Sequence, residues 1–362
     1  MHRYTPVLLL VVLFFAAGCN DDDLLVNAPE SYQFDNVDYA AQTATLGMLA
    51  EMATYAKSAN SPGITLSADR LATMYANQAG ASWSGNYPAN VQLRNQTFEV
   101  ERGLFDNLLD DLAAASQSGA SASPGVPGVI TSLDGAKSYF VNAQGVEYAQ
   151  VIEKGLMGAL LYYQGVNEYL GSDRQNVDNE EVVPGQGTAM ENAWDRAFGY
   201  WGVPVDFPTD KDGLAFWGKY TNDRDPILGS NAIMMDAFLR GRAGISEDKL
   251  AVRNDALETI REEWERVSVA TALHYLNSAL DNFDDPALRL HALSEAAAFI
   301  YVLKFSTSRG TSVENIDLLL NGIGDSINFR QMNFYNRGAP EITTVRDQLA
   351  DFYNLSDRKT EF

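Results

Sequence analysis

The stretch Val146–Leu170, VEYAQVIEKGLMGALLYYQGVNEYL, decides the fold. Val151, Ile152, Leu156, Met157, Leu160, Leu161, Tyr162, Tyr163, Val166 and Tyr169 leave it apolar nearly all round. A helix without a polar face belongs in the middle of a domain. Gly155 and Gly158 leave room for a second helix to approach closely. Only Glu153 and Lys154 are charged between Val151 and Val166.

Helical spacing continues on both sides. Towards the N-terminus, Asn142–Gly145 reads as a turn and Ala113–Gly128 as an Ala/Ser/Gly/Pro-rich surface loop. Phe98–Leu112 is helical, with Leu104, Phe105, Leu108 and Leu109 apolar. Ser67 caps a helix carrying Leu71, Met74 and Tyr75. Leu46, Leu49, Met52 and Ala53 share a further helical face.

Towards the C-terminus, acidic Gly171–Gly187 reads as a domain boundary. Thr188-Ala189-Met190-Glu191 has the capping-box pattern and opens a short aromatic helix to Trp201. Val203–Asn231 is loop-like, and long loops of this kind are often functional. Helices then follow at Ile233–Gly241, Glu247–Leu280 with a break near Asn254, Pro286–Phe305, Val313–Leu320 and Glu341–Tyr353. Period-2 strands are few. The expected fold is all-α: two packed helical bundles, residues 39–180 and 187–362.

The first residues supply an address. Arg3, the apolar run Pro6–Phe15 and the small residues Ala16-Ala17-Gly18 precede Cys19, the only cysteine. That order is an export signal, residues 1–18, and the cysteine at its end reads as the lipidation site of a bacterial lipoprotein. Pro6–Phe15 is too short for an ordinary membrane span. Residues 19–38 then form a tether, and Asn20-Asp21-Asp22-Asp23 fits either a solvated linker or a surface-export tag. The expected location is the outer membrane, facing the periplasm or the cell surface, with acyl chains on Cys19 holding the membrane.

With 26 basic and 48 acidic residues the formal charge is -22. That balance speaks against nucleic acid as a partner and favours cations. Lipidation of Cys19 removes any disulfide and any catalytic thiol. His2 leaves with the signal, so imidazole chemistry rests on His274 and His291. No phosphate-binding glycine loop, Gly-x-Ser-x-Gly elbow or His-Glu-x-x-His motif is present. Asp210-Lys211-Asp212-Gly213 fails as a calcium loop because Pro208 and Lys219 would occupy ligand positions.

Four groups of residues remain as candidates. His274 lies on the core face of its helix, and His291 and Glu295 share a face of the next. A short turn, about Asp281–Asp285, makes the two helices antiparallel neighbours. All three side chains then fall within about 12 Å of that turn at 1.5 Å per residue. They suit either a transition-metal site for iron or zinc or a satisfied polar network in the core. Buried Glu153 needs a partner or a raised pKa, and Arg240, Arg242 and Arg253 are candidate partners. Glu191 and Asp195, one turn apart, suit a cation or acid/base work, though the capping box alone accounts for Glu191. Trp194 and Phe198 flank Asp195.

Several stretches resemble the domain of unknown function 4856 family. They are Glu147-Tyr148, Ile152–Leu160, Trp194–Pro204, Trp217-Gly218-Lys219-Tyr220, His274-Tyr275-Leu276-Asn277 and Leu293-Ser294-Glu295-Ala296. These lipoproteins are similar to imelysin-like, iron-regulated envelope proteins. The resemblance implies two helical bundles, a site between them and a role in iron acquisition. Imelysins carry Gly-x-His-x-x-Glu. Here Ala272 and Arg289 stand where that glycine would be, so no peptidase role transfers to a particular residue.

The expected function is a lipid-anchored binding protein, an accessory of iron or haem uptake. Its ligand would sit in an interbundle cleft lined by Glu153, Trp194, Asp195, Tyr200, His274 and Glu295. Two rivals stand beside it. One is a metal-dependent hydrolase with His274, His291 and Glu295 as ligands and Asp195 or Glu191 as base. The other is an acidic scaffold that partners an outer-membrane transporter.

Overall fold

The computed structural model describes residues 25–362, and the export signal and Cys19 lie outside the described residues. The chain is mostly helical, as its periodicity predicts. The longer helices are α1 (Ala40–Lys57), α2 (Ala68–Ala76), α3 (Arg102–Ala115), α4 (Tyr148–Leu156), α5 (Ala189–Trp201), α6 (Trp217–Leu228), α7 (Ser230–Ser246), α8 (Leu250–Asp281), α9 (Pro286–Val302), α10 (Val313–Gly324) and α11 (Ala339–Phe352). Ser67 and Thr188 cap α2 and α5 as expected, Thr188 in a complete capping box with Glu191. Asp285 caps α9, accepting from the Ala287 and Leu288 amides ahead of an N-terminal Pro286.

Every residue of α4 is buried, and the coil continues as a π-helical segment, Met157–Tyr169. Single π turns are the usual form, so thirteen such residues form an unusually long wide-wound stretch. The glycines behave as their positions suggest. A Cβ on Gly158 would lie 3.1 Å from the Val302 backbone of α9, and one on Gly155 would meet the Phe105 ring at 3.0 Å.

This central coil packs on α1, α3, α5 and α9, and α8 packs on α6, α7, α9 and α11. One cluster of buried apolar side chains runs from Tyr32 to Phe362 through all of these elements. The halves expected as two packed bundles meet closely: α9, from the second, lies against α4 and the π-helical segment of the first.

Four local expectations need correction. A two-stranded antiparallel hairpin, β1 (Gly128–Thr131) with β2 (Ser138–Val141), follows the α3 loop. Helix α6 occupies the second half of the stretch read as loop, and α8 runs through Asn254 unbroken. The fourth concerns the expected tether, whose described part from Leu25 packs on the body. The Tyr32 ring stacks on Phe198 at 3.7 Å between centroids, and the Tyr32 amide donates to the Val205 carbonyl. Tyr32 is 1% exposed. The buried aromatic surface offsets part of the cost of ordering the strap.

Candidate functional site

The strongest concentration of buried ionisable groups lies where α4 meets α9. Glu147, just before α4, is fully buried, and its amide donates to the Ser294 hydroxyl of α9 at 2.9 Å. That bond sets the Glu147 carboxylate beside His291, with Oε2 2.7 Å from Nδ1. The other ring nitrogen, Nε2, lies 3.4 Å from Glu295 Oε1, one helical turn along α9. Tyr139 of β2 stacks on the imidazole at 4.2 Å. The hairpin is fastened there by the Leu133 amide, which donates to Asp285 at 2.7 Å.

The row continues inward. The Tyr220 hydroxyl of α6 lies 3.4 Å from Glu295 Oε2. Lys154 faces the Tyr220 ring at 5.3 Å and binds Glu153 Oε1 at 3.0 Å. Lys57 of α1 forms an ion pair with the other Glu153 oxygen. Three carboxylates (Glu147, Glu153, Glu295) thus stand among three basic groups (His291, Lys154, Lys57), and the row is balanced when His291 is protonated. Burial works against the imidazolium, but Glu147 and Glu295 outweigh it and raise the His291 pKa. Burial also opposes the Glu153 carboxylate, and Lys154 and Lys57 outweigh that, holding its pKa below the usual value.

The expected metal set does not assemble. His291 and Glu295 are adjacent, but the imidazole stands between two carboxylates, with its nitrogens pointing to opposite sides. Metal ligands must instead converge on one point. His274 forms no hydrogen bond or ion pair with either. Burial and the nearby Arg224 guanidinium lower its pKa, which leaves a neutral ring beside Tyr275. Among the described residues, no three His, Cys, Asp or Glu side chains are placed to hold one metal ion.

The proposed cleft residues are likewise dispersed. Trp194 is fully buried, its indole donating to the Phe238 carbonyl at 3.0 Å and its ring packed on Gly241. Tyr200 donates to Gln96. Glu153 is neutralised by lysines rather than by Arg240, Arg242 or Arg253. Asp195 instead takes Arg242, whose Nε lies 2.9 Å from Oδ1, together with the Tyr32 hydroxyl at 2.7 Å. Arg242 also pairs with Glu191 and faces the Phe34 ring at 5.0 Å. Burial of Asp195 exceeds the pull of Arg242 and pushes its carboxyl to about 6, and Oδ2 has no partner. Glu153 and Glu295 thus belong to the α4–α9 row, while Trp194, Asp195 and Tyr200 are engaged around α5.

Glu147 was missed from sequence. It is a charged residue just before a largely apolar helix, and its partner lies 144 positions away. The surface carries modest hollows. One of about 360 Å³ between α8, α11 and the 308–310 loop is lined by Glu262, Glu265 and Tyr353. Another of similar size, walled by Tyr39, Leu46, Val203, Pro204 and Ala215, has Asp212 among its lining residues.

An all-α body with internally compensated charge is the class these observations define. The chain belongs to the family described as domain of unknown function (DUF4856), whose profile matches residues 29–329. No curated protein and no solved structure matched the chain.

Proposed function

We propose that this chain is a lipid-anchored, non-enzymatic binding protein of the cell envelope that meets its partner through an acidic exterior. One observation carries the reading: the buried acids and bases of the α4–α9 row compensate one another. The row therefore supplies none of the formal excess of -22. Among the described acids only Glu147, Glu153, Asp195, Glu263, Glu265 and Glu295 are buried, so the surface carries most of that excess. A surface of that sign attracts cations and basic patches and raises their local concentration. Ionic iron suits it better than haem, whose propionates are anionic. A basic face of an outer-membrane transporter suits it equally. The nitrogens of His291, both turned to carboxylates, favour binding over metal-dependent hydrolysis. The anchor rests on the Cys19 signal, and no helix among the described residues is long and apolar enough to cross a membrane.

Two arms test the reading. Detergent phase partition of the wild type against Cys19→Ser tests the anchor, and retention of the variant in the detergent phase would refute it. Titration with ferric and ferrous ions tests the cargo. Binding no tighter than about millimolar, roughly -4 kcal/mol, removes iron. Salt-sensitive co-purification from detergent then decides for the transporter, and absence of both would overturn the proposal.

A further inference from the structure

A pocket of about 250 Å³ lies between α8 and the turn at 170–176. Arg253, Leu257 and Arg261 line it from one face of α8, four residues apart in each step. Arg253 is 3% exposed. Its guanidinium donates to neutral acceptors: the Gln175 carbonyl, Gln175 Oε1 at 3.1 Å and Asn254 Oδ1 at 2.9 Å. Arg261 donates from Nη2 to the Leu170 carbonyl at 2.6 Å, while its Nε is buried without a partner. Among the described residues, neither guanidinium forms an ion pair.

Other described arginines also lack an ion pair, Arg102, Arg289 and Arg309 among them, each bonded to backbone carbonyls, but Arg253 and Arg261 line one hollow together. Arg94, Arg242, Arg330 and Arg346 each meet a carboxylate. Capping the carbonyls of the 170–175 turn explains why the two arginines reach there. It does not neutralise them, because a carbonyl carries no net charge. Burial alone lowers the Arg253 pKa, with no acid acting against it. Arg253, buried, and Arg261, half-buried and partly offset by Glu258, line one hollow, and guanidinium forks match the oxygens of phosphate and carboxylate. The Ser172 hydroxyl and the Asn176 and Asn254 amides add neutral donors to the lining. Glu258 is the one acid lining the pocket, and it opposes an anion.

We propose that Arg253 and Arg261 form a binding site for a small phosphate-class oxyanion, either inorganic phosphate or a phosphomonoester such as a lipid headgroup presents. The site is independent of the acidic exterior, so it stands whether or not a cationic cargo is found.

The test is calorimetric titration of the full chain in detergent with sodium phosphate and, separately, glycerol 3-phosphate, against sodium chloride of equal ionic strength. Saturable binding of either probe is expected, and the tighter one identifies the source. Arg261→Gln should weaken binding about tenfold through loss of a charge-assisted contact. Glu258→Gln, an exposed change that leaves the fold intact, should tighten it about twofold to threefold by removing repulsion. Arginines that serve only as carbonyl caps would give no saturable binding of either probe, or identical titrations for wild type and both variants. Either result overturns the proposal.

Discussion

Glu147 and His291, 144 residues apart, meet at 2.7 Å and join the start of α4 to the second turn of α9. The contact carries charge only while the imidazole is protonated. Its raised pKa means that the folded state holds the proton more tightly than the unfolded chain. The stabilisation is therefore complete below pH 6.5 and disappears as pH rises through the higher folded value. His291→Gln leaves the Glu147 carboxylate buried without its cation, at a cost of roughly 3 kcal/mol. Denaturant unfolding at pH 6 and pH 9 should show the wild-type advantage shrinking at the higher pH. An advantage that stays constant would contradict the assignment.

Asp195 gives a second pH signature, with the sign opposite to that of an ordinary salt-bridged carboxylate. Its folded pKa rises from 3.8 to about 6. Its contribution is therefore complete below 3.8 and is lost as pH climbs through about 6. Asp195→Asn keeps the shape and removes the titration. The pH dependence of unfolding between those values should flatten in the variant, while stability at pH 7.5 stays within about 1 kcal/mol of wild type or exceeds it.

Tyr32 holds the N-terminal strap to the body. Tyr32→Ala removes the stacked ring from Phe198 and should cost roughly 3 kcal/mol. Tyr32→Phe removes only the hydroxyl bonded to Asp195 and should cost about 1 kcal/mol. Limited proteolysis should cut within residues 25–38 sooner in the alanine variant than in the phenylalanine variant.

Gly241 tests the close packing of α7. A Cβ there would fall 2.0 Å from Trp194 Cζ2, and that ring is fully buried. Gly241→Ala should therefore lower stability by about 1–3 kcal/mol despite the better helix propensity of alanine. A rise in Tm would contradict the packing.

Helix periodicity carried most of the fold because long apolar stripes leave few alternatives. It failed where the signal is short or mixed. The four-residue strands β1 and β2 offer too little alternation. Pro226 and Gly218 masked α6, although Trp217, Tyr220, Thr221, Arg224 and Leu228 are its buried positions and keep helical spacing. In the expected tether, Tyr32 and Phe34 were the signal: two aromatic residues in an otherwise polar run. At the site, the His291–Glu295 pairing was legible from its i, i+4 spacing. Glu147 was not, because no local pattern places a residue against a partner so distant in sequence. The residues expected to share one cleft divide between the α4–α9 row and the surroundings of α5. Scarce charged groups in a core need partners, but nothing requires that they find the same ones.

The most direct measurement is iron binding by wild type and by the His274→Ala/His291→Ala double variant, at low salt and at 0.5 M sodium chloride. Exterior binding to carboxylates should be weakened strongly by salt and should be the same in both proteins. Tight, salt-insensitive binding that disappears in the double variant would contradict the account, because it would place a metal centre inside the core.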